Sequence, residues 1–176
     1  VRPVIPSDFD QATRFAQMIV QAGLFQAESQ EKALAQATMA VLQGLELGIP
    51  PMQAVQQIAM IGGRCTIWGD LIPALIWRAG HKIREWIEGE GDARVAWCEI
   101  TRGDNGEIIK RKFSVEDAKR AGLWDTRPKL KRKDNTDTWC EEDNDSPWYR
   151  YEERMLQMRA RGFCVRDGAP DALHGL

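Results

Sequence analysis

The chain has 176 residues, 43% of them hydrophobic and 28% charged. That is long enough to bury a core, in an ordinary globular composition, and no apolar run approaches the roughly 20 residues of a membrane span. A net charge of −2 excludes a uniformly basic surface, so any polyanion site must come from local clustering.

Ser7-Asp8 opens a first helix, with Phe9, Ala12, Phe15, Ala16 and Ile19 on one face and Gly23 as its stop. A second helix is predicted from Glu28 to Leu47, with Leu34, Ala37, Val41, Leu42 and Leu45 facing inward. Gly48 and Pro50-Pro51 end it, and Met52 to Ala59 supplies one more short helix. Ile58 to Ile61 and Arg64 to Trp68 flank Gly62-Gly63, the pattern of a tight β-hairpin. A helix follows over Asp70 to Ala79, with Pro73 in its first turn.

Three strands come next: Lys82 to Glu88, Arg94 to Thr101 and Glu107 to Phe113. Asp104-Asn105-Gly106 is a strong turn signal between the last two, so the three form an antiparallel meander. Ser114 caps a helix over Val115 to Ala121, closed by Gly122. Residues 125–146 are polar, basic and then acidic, and are expected to be a surface loop. Ser146-Pro147 then starts the final helix. The expected fold class is α+β, with a helical N-terminal part, a β-hairpin, a three-stranded meander packed with helices, and a basic C-terminal helix. The expected organisation is a single domain over residues 1–176, with a helical arm at about 1–50.

The chemistry of a catalyst is hard to find. His81 and His174 have no histidine partner at metal-ligand spacing, and there is no phosphate loop and no nucleophile elbow. Cys65, Cys98, Cys140 and Cys164 are irregularly spaced, with no CxxC pair, and read as reduced thiols rather than zinc ligands. The expectation is a non-enzymatic protein without cofactor or metal. A metal-dependent nuclease is the enzymatic alternative, and would draw on Glu85, Glu99 and Glu107. The N-terminus has no charged-then-apolar signal pattern, so cytoplasmic localisation is expected.

Binding chemistry is easier to find. Lys110, Arg111 and Lys112 end one strand, and Lys129, Lys131, Arg132 and Lys133 crowd the loop. On the final helix Arg150, Arg154 and Arg161 share one face, Arg159 and Arg166 share another, and Met155, Leu156 and Met158 supply the buried side. Trp124, Trp139 and Trp148 lie between these basic segments. Cations with interleaved aromatics suit a single-stranded nucleic-acid groove. The plainer account is a solvated helix face whose arginines pair with Glu152 and Glu153. A further account is an interaction domain whose basic loop binds an acidic protein.

Four stretches add to this. They are Gly44 to Ala54, Ile58 to Arg64, Phe113 to Leu123, and an ending that holds Pro147-Trp148, Met155-Leu156, Arg159-Ala160, Arg166 and Pro170 to Gly175. In this order they resemble the RecT and Red beta family of phage single-strand annealing proteins. The resemblance implies ATP-independent binding and annealing of single-stranded DNA in phage-type recombination. It further implies a homo-oligomer, ring or filament, with a phage exonuclease as partner and no membrane. Arg159 is carried over most directly, from the Arg-Ala pair. The phosphate-contact candidates are Lys110, Arg111, Lys112, Arg154, Arg159, Arg161 and Arg166. Trp148 is the candidate for stacking, or else a buried anchor of the last helix. Arg64 and Trp68 on the hairpin are secondary candidates, Arg64 alternatively at a subunit contact.

Overall fold

The computed structural model describes residues 5–67, 69–124, 129–132, 139–142 and 144–175. The chain divides into two compact units, residues 1–75 with 171–176, and residues 76–170. The fold is α+β, with a two-stranded hairpin and a three-stranded antiparallel meander.

In the first unit α1 (Phe9–Gln21) starts at Asp8, whose carboxylate accepts from the Gln11 amide. α2 (Gln30–Glu46) starts at Ser29, whose hydroxyl accepts from the Lys32 amide. Both caps satisfy amides that the helix leaves without partners. α2 is the hub and packs against α1, α3 (Pro51–Gln57) and β1 (Ile58–Ile61). Ala12, Ile19, Val41 and Val55 form its core, with Phe15, Phe25, Leu42 and Leu45 packed around them. Phe9 departs from the predicted inward stripe and is 63% exposed. Small Ala12 and Ala16 face the core instead, and Phe9 stays outside on the first turn.

The Gly44–Ala54 stretch has a packing reason. Gly44 is buried, and a methyl placed on it would collide with the Cβ of Ala54. Gly48 takes a positive φ of 64° just past the end of α2, where Ile49 donates back to the Gly44 carbonyl at 2.7 Å. Pro51 then opens α3 at a position that needs no amide donor. Gly44→Ala is expected to cost about 1–3 kcal/mol by overpacking, read as a lower urea midpoint at unchanged slope. An unchanged midpoint would mean that α2 and α3 shift apart freely.

The β1–β2 hairpin forms as predicted, with β2 at Arg64–Ile67 and Ile61 opposite Arg64. Gly62 and Gly63 both have positive φ, 57° and 78°, as the two-residue turn demands. α4 (Leu71–Arg78) follows.

The second unit is built on the meander β3 (Lys82–Glu88), β4 (Val95–Thr101) and β5 (Ile108–Ser114), in that spatial order. α5 (Val115–Arg120) begins with a capping box. The Ser114 hydroxyl accepts from the Asp117 amide, and the Asp117 carboxylate accepts from the Ser114 amide. The Ser114 hydroxyl also donates to the Asp117 carboxylate at 2.6 Å, and this bond, with the one from the Ser114 amide, holds the Asp117 carboxyl below its ordinary pKa of 3.8. A depressed folded pKa stabilises above the unfolded value, and that contribution is lost as pH falls through the folded one. Asp117→Asn is therefore expected to lower stability by about 1 kcal/mol at pH 7. The gap to the parent should close as pH falls below 3.8. Thermal melts across pH check this, and a gap that stays constant would refute it.

The segment predicted as a loop at 125–146 carries structure. β6 (Lys129–Arg132) pairs antiparallel with β7 (Trp139–Glu142). The register sets Lys129 opposite Glu142, Leu130 opposite Glu141, Lys131 opposite Cys140 and Arg132 opposite Trp139.

The predicted final helix is two helices. α6 (Pro147–Arg150) and α7 (Glu152–Gly168) are broken at Tyr151, whose φ of −135° and ψ of 52° are not helical. α7 lies across the meander, mainly on β4 and β5. Among the described residues, no helix is long and apolar enough to cross a membrane.

Candidate nucleic-acid interface

The register of the meander sorts its side chains into two faces, because alternate residues on a strand point opposite ways. Rows Ile83–Ile100–Ile109, Glu85–Cys98–Arg111 and Ile87–Ala96–Phe113 lie under α7. Rows Arg84–Glu99–Lys110 and Trp86–Trp97–Lys112 lie on the opposite face.

Under α7 the polar groups are paired. Arg161 is 3% exposed and grips Glu85 with two bonds, from Nε at 2.8 Å and Nη2 at 2.6 Å. Arg111 reaches Asp167 on α7 at 2.6 Å. The Cys164 thiol donates to the carbonyls of Cys98 and Ile109 at 3.2 and 3.4 Å. A hydrogen bond with Cys164, together with burial, pushes the Cys98 thiol up and leaves it protonated and inert. Cys65, Cys98 and Cys164 are all free thiols.

The other face is chemically different. Trp86 and Trp97 stack across β3 and β4, with ring centroids 6.2 Å apart and planes 12° from parallel. Three cations crowd them. Lys110 Nζ lies 4.6 Å from the Trp86 ring and 4.4 Å from the Trp97 ring. Lys112 Nζ lies 5.5 Å from the Trp97 ring, and Arg84 Cζ lies 5.2 Å from the Trp86 ring. All three cations are exposed and both indoles are half-buried. Each contact is worth about 0.5–1 kcal/mol when exposed. The result is an aromatic surface under exposed positive charge, of a kind that can offer π-faces to bases and cations to phosphates.

The sequence-derived site divides accordingly. Lys110 and Lys112 stand on the aromatic face. Arg111 does not join them, because the middle residue of three on a strand points the other way. Arg161 is buried with Glu85 and is no phosphate contact. Trp148 is the buried anchor rather than a stacking surface: it is 8% exposed and packs on Phe113 at 6.4 Å between centroids. Arg154, Arg159 and Arg166 are exposed on α7, whose inner side covers the opposite face of the sheet. Arg154 lines an open groove of about 480 Å³ with Arg94, Tyr149, Arg150 and Tyr151. Arg94 there is paired with Glu152 and lies 5.7 Å from the Trp124 ring. Arg64 is exposed on β2, in the other unit. Trp68, Arg127 and Lys133 lie outside the described residues, as do the side chains of Lys129, Lys131, Arg132, Trp139 and Cys140.

Glu85, Glu99 and Glu107 are not brought together. Glu85 is under α7, Glu99 is on the aromatic face, and Glu107 precedes β5 in the turn. Sequence reasoning passed over Arg84, Trp86 and Trp97, and took Glu99 only as an acid of the nuclease alternative, not as part of this surface. The signal was present as i, i+2 spacing in Arg84/Trp86, Trp97/Glu99 and Lys110/Lys112.

No family model, no curated protein and no solved structure matches this chain.

Proposed function

We propose that this chain binds single-stranded DNA on the aromatic face of the meander and anneals complementary strands without ATP. The observation that carries this reading is the stacked Trp86–Trp97 pair set among Arg84, Lys110 and Lys112. Bases stack on indole faces whatever their sequence. Cations beside them neutralise phosphates and release counterions, so affinity falls as salt rises. Single strands fit better than duplex, whose bases are already stacked on each other. The four stretches that resemble RecT and Red beta proteins support the annealing step. They also support a cytoplasmic homo-oligomer in phage-type recombination, fed with single-stranded tails by a phage exonuclease. No covalent step is required, so the reading calls for no catalytic group.

The test is annealing of two complementary labelled oligonucleotides without ATP, across a salt series. Acceleration that fades with salt supports the reading. No acceleration, with no single-strand binding at low salt, overturns it. One observation favours a second reading, a protein-interaction domain. Ile5, Phe9, Met18 and Leu24 of the first unit are all more than half exposed, and apolar side chains left in water mark protein contacts. Salt-insensitive binding to a protein, without DNA binding, would favour that reading.

A further inference from the structure

The aromatic face contains one residue of the wrong sign for a polyanion. Glu99 stands between Arg84 and Lys110 in the register, two residues along β4 from Trp97. Cross-strand neighbours of opposite charge ordinarily pair. Here they do not. Arg84 and Lys110 direct their charges over the Trp86 and Trp97 rings, at 4.4 to 5.2 Å from the centroids. The Glu99 side chain makes no hydrogen bond or ion pair among the described residues. A half-buried carboxylate with unused acceptor sites is thus held next to a stacking surface.

We infer that Glu99 reads the edge of a base stacked on Trp97, and that it selects guanine. This rests on the nucleic-acid reading above. Residues two apart on a strand are about 6.5 Å apart, so the edge of a base lying over the Trp97 ring reaches the carboxylate. A carboxylate only accepts hydrogen bonds, and has two oxygens side by side. Guanine offers two adjacent donors on its pairing edge, the ring N1–H and the N2 amino group, and these match both oxygens. Thymine offers a single N–H between two carbonyls, which the carboxylate repels. Adenine and cytosine offer one amino group each and fall between. The same carboxylate weakens general phosphate attraction a little, which Arg84, Lys110 and Lys112 offset. The face therefore binds any single strand, with one guanine-preferring position.

The test uses the full chain and fluorescence anisotropy at low salt, with two labelled heptamers. One is all thymidine, and the other has a single central guanosine. The guanosine heptamer is expected to bind about tenfold tighter, within the range for one bidentate base contact. Glu99→Gln should bring the ratio below about twofold, by weakening binding of the guanosine heptamer and slightly strengthening that of the all-thymidine one. Equal binding of the two heptamers by the parent protein would overturn the assignment. So would an equal strengthening of both by Glu99→Gln, because Glu99 would then act only as a counter-charge. Binding of neither heptamer would overturn the nucleic-acid reading itself.

Discussion

Arg161→Met is expected to destabilise the second unit by about 2–3 kcal/mol, below the cost of breaking a fully buried pair, because it leaves the Glu85 carboxylate, whose side chain is 20% exposed, without its partner. Arg161 is 3% exposed and its guanidinium holds both Glu85 oxygens. The double variant Arg161→Met with Glu85→Met should regain most of that loss, since apolar groups of similar size replace a buried pair at little cost. Arg159→Gln, two residues away and exposed, should change stability by less than about 0.5 kcal/mol. Urea unfolding of the four proteins checks all three statements. An Arg161→Met midpoint equal to the parent's would show that Glu85 reaches water without cost. The practical consequence is that loss of DNA binding on changing Arg161 reports unfolding, while Arg159 can be tested cleanly.

Trp86→Leu is expected to weaken binding to a single-stranded oligonucleotide by about 1–3 kcal/mol, the value of one base stacked on an aromatic side chain. Lys110→Gln with Lys112→Gln should act differently. It should lower affinity mainly at low salt, and flatten the slope of log affinity against log salt by about 1.4, or 0.7 for each phosphate no longer neutralised. Arg159→Gln with Arg166→Gln lies on the side of α7 away from the sheet and should leave binding within about twofold. Anisotropy titrations at several salt concentrations separate these outcomes, with circular dichroism as the check on folding. If the α7 pair weakens binding and Trp86→Leu does not, the interface is the outer surface of α7.

Much of the scaffold was legible because its signals are local. Lys82–Glu88 was read with the bounds that the structure gives, and Gly62-Gly63 announced its turn through the need for positive φ. Ser114 signalled α5 through its cap. The site was less legible because it depends on partners distant in sequence. Arg161 looks like a surface cation until Glu85, 76 residues earlier, is seen beneath it. Trp148 looks available until Phe113 is packed against it. Lys110-Arg111-Lys112 reads as one basic patch in composition, but pleating divides it between two faces. The pair Trp86 and Trp97 needed the β3–β4 register, which the Gly89 to Asp92 link alone did not fix.

The meander also has two rims. β3 and β5 flank β4, so each has one side with no hydrogen-bonded strand among the described residues. An open rim is a template on which a stray strand can add, and long charged side chains are the common guard against it. Lys82, Arg84 and Glu88 line one rim, and Lys110, Arg111 and Lys112 line the other. The lysines proposed to meet a polyanion are thus also placed to guard that rim against strand addition. Saturating them with a ligand, or mutating them to neutral residues, removes that guard. In the Lys110→Gln, Lys112→Gln protein the remaining cation of that basic run, Arg111, is paired with Asp167 on α7, so handling the variant at low concentration becomes a condition of measuring anything else about it.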